Sequence, residues 1–185
     1  MIYDLPRSAV VCGTEYKIRS DFRAALDICA ALSDPELSNE EKAVTALTIF
    51  YPDFESGMPP SHYNQAIDEI YRFLNGGEQE ENQQKRPRLV DWQQDFPIIV
   101  APVNRVAGKE IRALEYMHWW TFLAYYQEIG GDCTFAQVVS IRYKKAHGKK
   151  LDKQEREWYR KNRKIVDFKQ NYTDSDKQMF KEWGV

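Results

Sequence analysis

Three cysteines (Cys12, Cys29, Cys133) and three histidines (His62, His118, His147) are the residues of this chain best suited to nucleophilic or metal chemistry. Their spacing offers little. No Cys-x-x-Cys or His-x-x-x-His pair occurs, so nothing has the ligand spacing of a zinc site. An odd cysteine count without a close pair fits free thiols in a reducing compartment. Cys133, between Asp132 and Thr134, stands where a helix N-terminus would favour a thiolate, but no base accompanies it in sequence. Phosphate-binding loops, dinucleotide fingerprints, Gly-x-Ser-x-Gly elbows and His-Glu-x-x-His are missing. The sequence therefore predicts no catalytic residue, no cofactor and no metal site. It reads as a binding protein, not an enzyme.

Two other constellations could bind. The first is aromatic: Leu114 to Tyr126 holds two Trp, three Tyr and one Phe with no Gly or Pro. At about 100° per residue such a helix is apolar on nearly every side, which suits a central core helix or a contact face. Trp119 and Trp120 are its candidates for partner contact, since aromatics dominate interface hot spots. The second is basic. Arg142, Lys144, Lys145, Lys149 and Lys150 lead into a segment in which Lys153, Arg156, Arg160, Arg163 and Lys164 spread over a helix carrying Trp158 and Tyr159. These cations could meet phosphates and the aromatic pair could stack bases; the face of Trp158 and Tyr159 is also a candidate for contact with a protein partner. Glu155 and Glu157 dilute the charge and no helix-turn-helix pattern is present, so an acidic protein surface is the better expected partner.

The chain has 185 residues, 43% hydrophobic and 29% charged, with a net charge of −2. That charge is uneven. Residues 1–83 hold 15 Asp/Glu and 6 Lys/Arg, a net of −9, whereas residues 84–185 hold 13 and 20, a net of +7. The halves attract one another or neighbouring copies head to tail, which favours a homo-oligomer. No apolar run reaches the roughly 20 residues of a membrane span. Asp4 and Pro6 stand where a signal peptide would be basic and then apolar. A soluble cytoplasmic protein without membrane contact is expected.

The elements that must position these residues are mainly α. One helical domain over residues 1–185, with about seven to eight helices and a short N-terminal β-hairpin, is predicted. Residues 8–18 read as the hairpin, turning at Gly13-Thr14. Ser20 is the expected cap of a first helix, and Ser38 to Glu41 has the capping-box form of a second. Residues 51–60 read as a loop. A third helix follows from Ser61 and ends at Gly76-Gly77, and residues 77–88 form a polar linker predicted to be mobile. A helix from Asp91 is expected to kink or break at one or both of Pro97 and Pro102. The aromatic helix, a helix from Thr134 and the basic helix over 152–167 come next. Residues 169–185 are predicted to add a C-terminal extension helix displaying Met179, Phe180 and Trp183 as further contact candidates.

The run Leu114-Glu115-Tyr116-Met117-His118-Trp119-Trp120-Thr121-Phe122, followed by Thr134 to Arg142 and by Lys153 to Lys161, resembles the bacteriophage gene-product-fifteen family. Gly13 to Ile18, Asp21-Phe22-Arg23 and Asp91 to Asp95 are similar to that family's opening hairpin, first helix and Asp-aromatic-x-x-Asp helix start. The likeness spans roughly residues 8 to 168 and leaves 169–185 outside it. It implies a phage or prophage tail assembly chaperone that binds and solubilises the tape measure protein in the cytoplasm of the bacterial host. It brings no catalytic residues. The tail tube protein is a further partner it allows. A nucleic-acid-associated phage protein using residues 142–164, or a minor structural tail component, are the alternatives.

Overall fold

A computed structural model describes residues 4–78 and 87–169. The chain forms two compact units, whose described residues are these two stretches. The described residues hold eight α-helices and one two-stranded antiparallel sheet, so the fold is mainly α with an N-terminal hairpin, as expected.

The first unit opens with β1 (Ser8–Val11) and β2 (Thr14–Lys17), paired in register Ser8 with Lys17 and Val11 with Thr14. The turn is Cys12-Gly13, one residue before the predicted position. Both residues have positive φ, 48° and 77°. A two-residue type I′ turn needs that conformation because its twist matches the strands it joins. Helix α1 (Phe22–Ser33) is capped by Asp21, whose Oδ1 accepts the Arg23 amide at 3.0 Å. Ser20, the expected cap, is instead buried. Helix α2 (Asn39–Phe50) has the predicted capping box: Ser38 Oγ accepts from Glu41 N, and Glu41 Oε2 accepts from Ser38 N. Arg19 closes its other end, donating from Nη1 to the carbonyls of Thr48 and Ile49, each at 2.7 Å. A cation there also suits the helix dipole.

Residues 51–60 are not wholly loop. Phe54 is buried, and burying it folds the single helical turn α3 (Phe54–Gly57). A 3-10 turn (Pro60–His62) then leads into α4 (Tyr63–Leu74). Gly76 and Gly77, both at positive φ, terminate α4, and the Gly77 amide reaches back to the Arg72 carbonyl at 2.8 Å. Val11, Phe22, Ile28, Leu47, Phe50 and Ile70 make the core of this unit.

The second unit begins with α5 (Trp92–Ala107), capped by Asp91, whose Oδ1 accepts from Gln94 N at 2.9 Å. It runs through both Pro97 and Pro102 without the break that the sequence allowed. Its stripe of Ile99, Val100, Pro102 and Val103 is buried. Helices in proteins are held chiefly by such burial, which outweighs the loss of two amide donors. Gly108 ends it in the left-handed conformation at φ 67°. After a 3-10 turn (Ile111–Ala113) come α6 (Trp119–Gln127), α7 (Thr134–Ala146) and α8 (Lys153–Val166). Helix α5 packs on α6 and α7, and α7 packs on α8. Most of the predicted linker 77–88 and all of the Met179, Phe180 and Trp183 segment lie outside the described residues.

Candidate interaction surfaces

Only the later part of the aromatic run, from Trp119 on, is α-helical. Helix α6 starts at Trp119, because His118 is its cap: the Nδ1 of this buried ring accepts the Trp120 amide at 3.0 Å. Tyr116 and Met117 therefore precede the helix, Tyr116 exposed and Met117 buried. Trp119, singled out as a contact candidate, is only 1% exposed and belongs to the core. Its ring stacks on Phe122 at 5.4 Å and meets Trp92 edge-on at 5.6 Å. Trp92 in turn packs on Tyr126, and Tyr126 on Phe135, so the aromatics form one chain through α5, α6 and α7. Burial, followed by the charge of Asp95, pushes the Tyr126 hydroxyl up to about 12. Trp120 is half-buried and is the member of the Trp pair that reaches the surface.

Trp158 and Tyr159 lie in a different place. Both are half-buried and pack, with Leu151 and Ile165, against the buried Val138, Ile141 and Val166 where α7 meets α8. The Tyr159 hydroxyl donates to Asp167, and Lys145 donates to both the tyrosine oxygen and the carboxylate. Burial of Asp167 works against its charge, yet its bonds from Lys145, Arg163 and Tyr159 hold it below the usual carboxylate range. Lys144 pairs with Glu155, which also closes the Asp152 capping box of α8. These lysines, read in sequence as phosphate contacts, are engaged in joining α7 to α8.

Arg142 departs furthest from that reading. It is 4% exposed and all five of its N–H donors are bonded within the unit. Nε donates to the Val166 carbonyl, Nη1 to Leu89 O and Asp95 Oδ2, and Nη2 to Asp95 Oδ1 and Ile165 O. The Phe168 ring covers the guanidinium at 4.1 Å. One residue thus fastens the end of α8, the approach to α5 and the first turn of α5. Along α8 the cations Lys153, Arg156, Arg160, Lys161, Arg163 and Lys164 are exposed.

The nucleophile candidates are scattered. Cys133 caps α7, its Sγ accepting the Ala136 amide at 3.4 Å. Cys29 is partly buried, which pushes its thiol up to about 11. The Nδ1 of His62 bonds Tyr16 Oη at 2.9 Å, and that of His147 bonds the Tyr143 carbonyl at 2.8 Å. Among the described residues no group of three or more His, Cys, Asp or Glu could hold a metal ion, and no helix is long and apolar enough to cross a membrane.

A further surface was not anticipated from sequence. In the first unit, α1, α2 and α4 leave a groove of about 260 Å³, lined by Leu32, Ala43, Ala46, Ile67, Ile70 and Tyr71 among others. Tyr71 on its wall, like Val44 on α2, is about half exposed, at 48% and 49%. The signal for it is weak, because the wall that α2 presents is made of Asn39, Lys42, Ala43 and Ala46, with no large apolar side chain among them.

A family model described as Bacteriophage Gp15 protein matches residues 1–168. Neither curated proteins nor solved structures give a match to the chain.

Proposed function

The chain belongs to the bacteriophage Gp15 family, and from that premise we propose that it is a tail assembly chaperone which binds the tape measure protein. The observation that carries the reading is the extent of the family match, which takes in the whole aromatic and basic region. A chaperone for a long helical client needs apolar surface that can be covered and uncovered. The groove between α1, α2 and α4 offers a place for one face of an amphipathic helix. The half-buried Trp120 and the exposed Tyr116 offer aromatic contact of the kind that anchors interfaces. On this reading the protein acts in the host cytoplasm by shielding, and leaves when the tail is complete.

A phage lacking the gene tests it. Cells infected by the deletion phage should accumulate filled heads without tails, and the gene supplied in trans should restore them. Mass spectrometry of purified wild-type virions should not find the protein. Tails of normal length in the deletion phage would remove the proposal, and stoichiometric protein in virions would make it a structural component.

A further inference from the structure

The charges of the second unit do not cancel locally, and the remainder is concentrated on one helix. Six of the ten carboxylates among its described residues are ion-paired within the unit: Asp95 with Arg142, Asp91 with Arg88, Glu110 with Arg112, Asp132 with Arg105, Glu155 with Lys144, and Asp167 with Lys145 and Arg163. Lys153, Arg156, Arg160, Lys161 and Lys164 are left on α8, all exposed and with no side-chain ion pair or hydrogen bond among the described residues. At about 100° and 1.5 Å per residue, Lys153, Arg156 and Arg160 fall within a sector of about 60° and run for roughly 10 Å, and Lys164 follows them beyond the kink at Asn162. They form a ridge on the side of α8 opposite Trp158 and Ile165.

The first unit has the opposite remainder. Its described residues carry 13 Asp/Glu against 6 Lys/Arg, whereas those of the second carry 10 against 16. The side chains of Asp27, Glu40, Asp53, Glu55 and Asp68 are exposed there and make no ion pair or hydrogen bond among the described residues.

We infer that the basic ridge of α8 docks on the acidic first unit of a second copy of this chain. Opposite charges on separate surfaces of one polypeptide make a heterologous contact, which repeats from copy to copy into a ring or a helical row. A nucleic acid fits the ridge less well. Glu157 stands beside the ridge, where it would face phosphates, and the aromatics that could stack bases, Trp158 and Tyr159, are packed towards α7. The inference stands independently of the tape measure reading, since it concerns only copies of the chain.

Sedimentation velocity of the full chain at low ionic strength, over a wide concentration range, tests it. Wild type should associate, and added salt should return it to single chains. K153E/R156E/R160E/K164E should weaken association roughly tenfold or more, as should E40K/D53K/E55K/D68K. Mixing the two variants should restore it in mixed complexes, which neither failure to fold nor a general loss of solubility could produce. The neutral variant K153Q/R156Q/R160Q/K164Q should lie between wild type and the reversed chain. A wild type that stays single at every concentration, or association indifferent to these reversals, would overturn the inference. So would tight, salt-sensitive binding of a random DNA duplex by unassociated wild type that the α8 reversal abolishes.

Discussion

Arg142 and Asp95 meet as a buried bidentate pair, with Nη1 2.5 Å from Oδ2 and Nη2 2.9 Å from Oδ1. Asp95 also accepts the Asp91 amide at 2.9 Å, so the pair closes the start of α5 as well as joining it to α7. Removing one partner leaves the other charge buried without compensation, which costs about 3–5 kcal/mol. Arg142→Met and Asp95→Leu should each lose about that much in urea unfolding, and the double variant much less than their sum. Arg142→Lys should not rescue, because an ammonium cannot serve the same five acceptors. A loss below about 1 kcal/mol for either single variant would show that the pair does not hold the unit together.

This pair was legible in principle. Arg142 follows Phe135 by seven residues and Val138 by four, and Asp95 follows Trp92 by three and precedes Ile99 by four. Both therefore sit on the apolar stripes of their helices. A run of neighbouring lysines disguised Arg142 as surface charge. The hairpin, the Ser38 capping box and the glycine stop at Gly76-Gly77 were readable because local rules decide them. The start of α6 was not, since histidine is an uncommon cap and no breaker precedes Trp119. The two prolines of α5 misled for the opposite reason: a local penalty was overruled by tertiary burial.

Acid should loosen the junction of α7 and α8. Asp167 is held below its ordinary value in the folded chain. Its contribution is therefore complete above the unfolded carboxylate range and is lost as pH falls through the lowered folded value. Asp167→Asn should destabilise the protein at neutral pH, and the difference from wild type should shrink steadily on acidification. A difference that stayed constant down to acid pH would contradict the assigned bonds from Lys145, Arg163 and Tyr159.

Thiol reactivity should separate the cysteines. Cys12 is exposed, whereas Cys29 is partly buried with its thiol pushed up to about 11. At mildly alkaline pH an alkylating reagent should label Cys12 well before Cys29, as followed by peptide mass spectrometry. Equal rates in the folded protein would mean that α1 does not shelter Cys29.

The hairpin turn predicts opposite outcomes at adjacent positions. Cys12 and Gly13 both have positive φ. Cys12→Asn, which makes the Asn-Gly pair favoured in type I′ turns, should be neutral or slightly stabilising. Gly13→Val should cost about 1–2 kcal/mol, since a β-branched residue resists that conformation. Thermal unfolding of the two variants checks this, and equal losses would refute the turn.

The central claim is that the protein keeps another polypeptide's apolar surface from aggregating. Its most direct measurement is the soluble fraction of the tape measure protein of the same phage, expressed alone and together with this chain. We expect co-expression to move most of the tape measure protein into the supernatant and a tag on this chain to recover both. An unchanged insoluble tape measure protein, with none retained by the tag, would contradict the account.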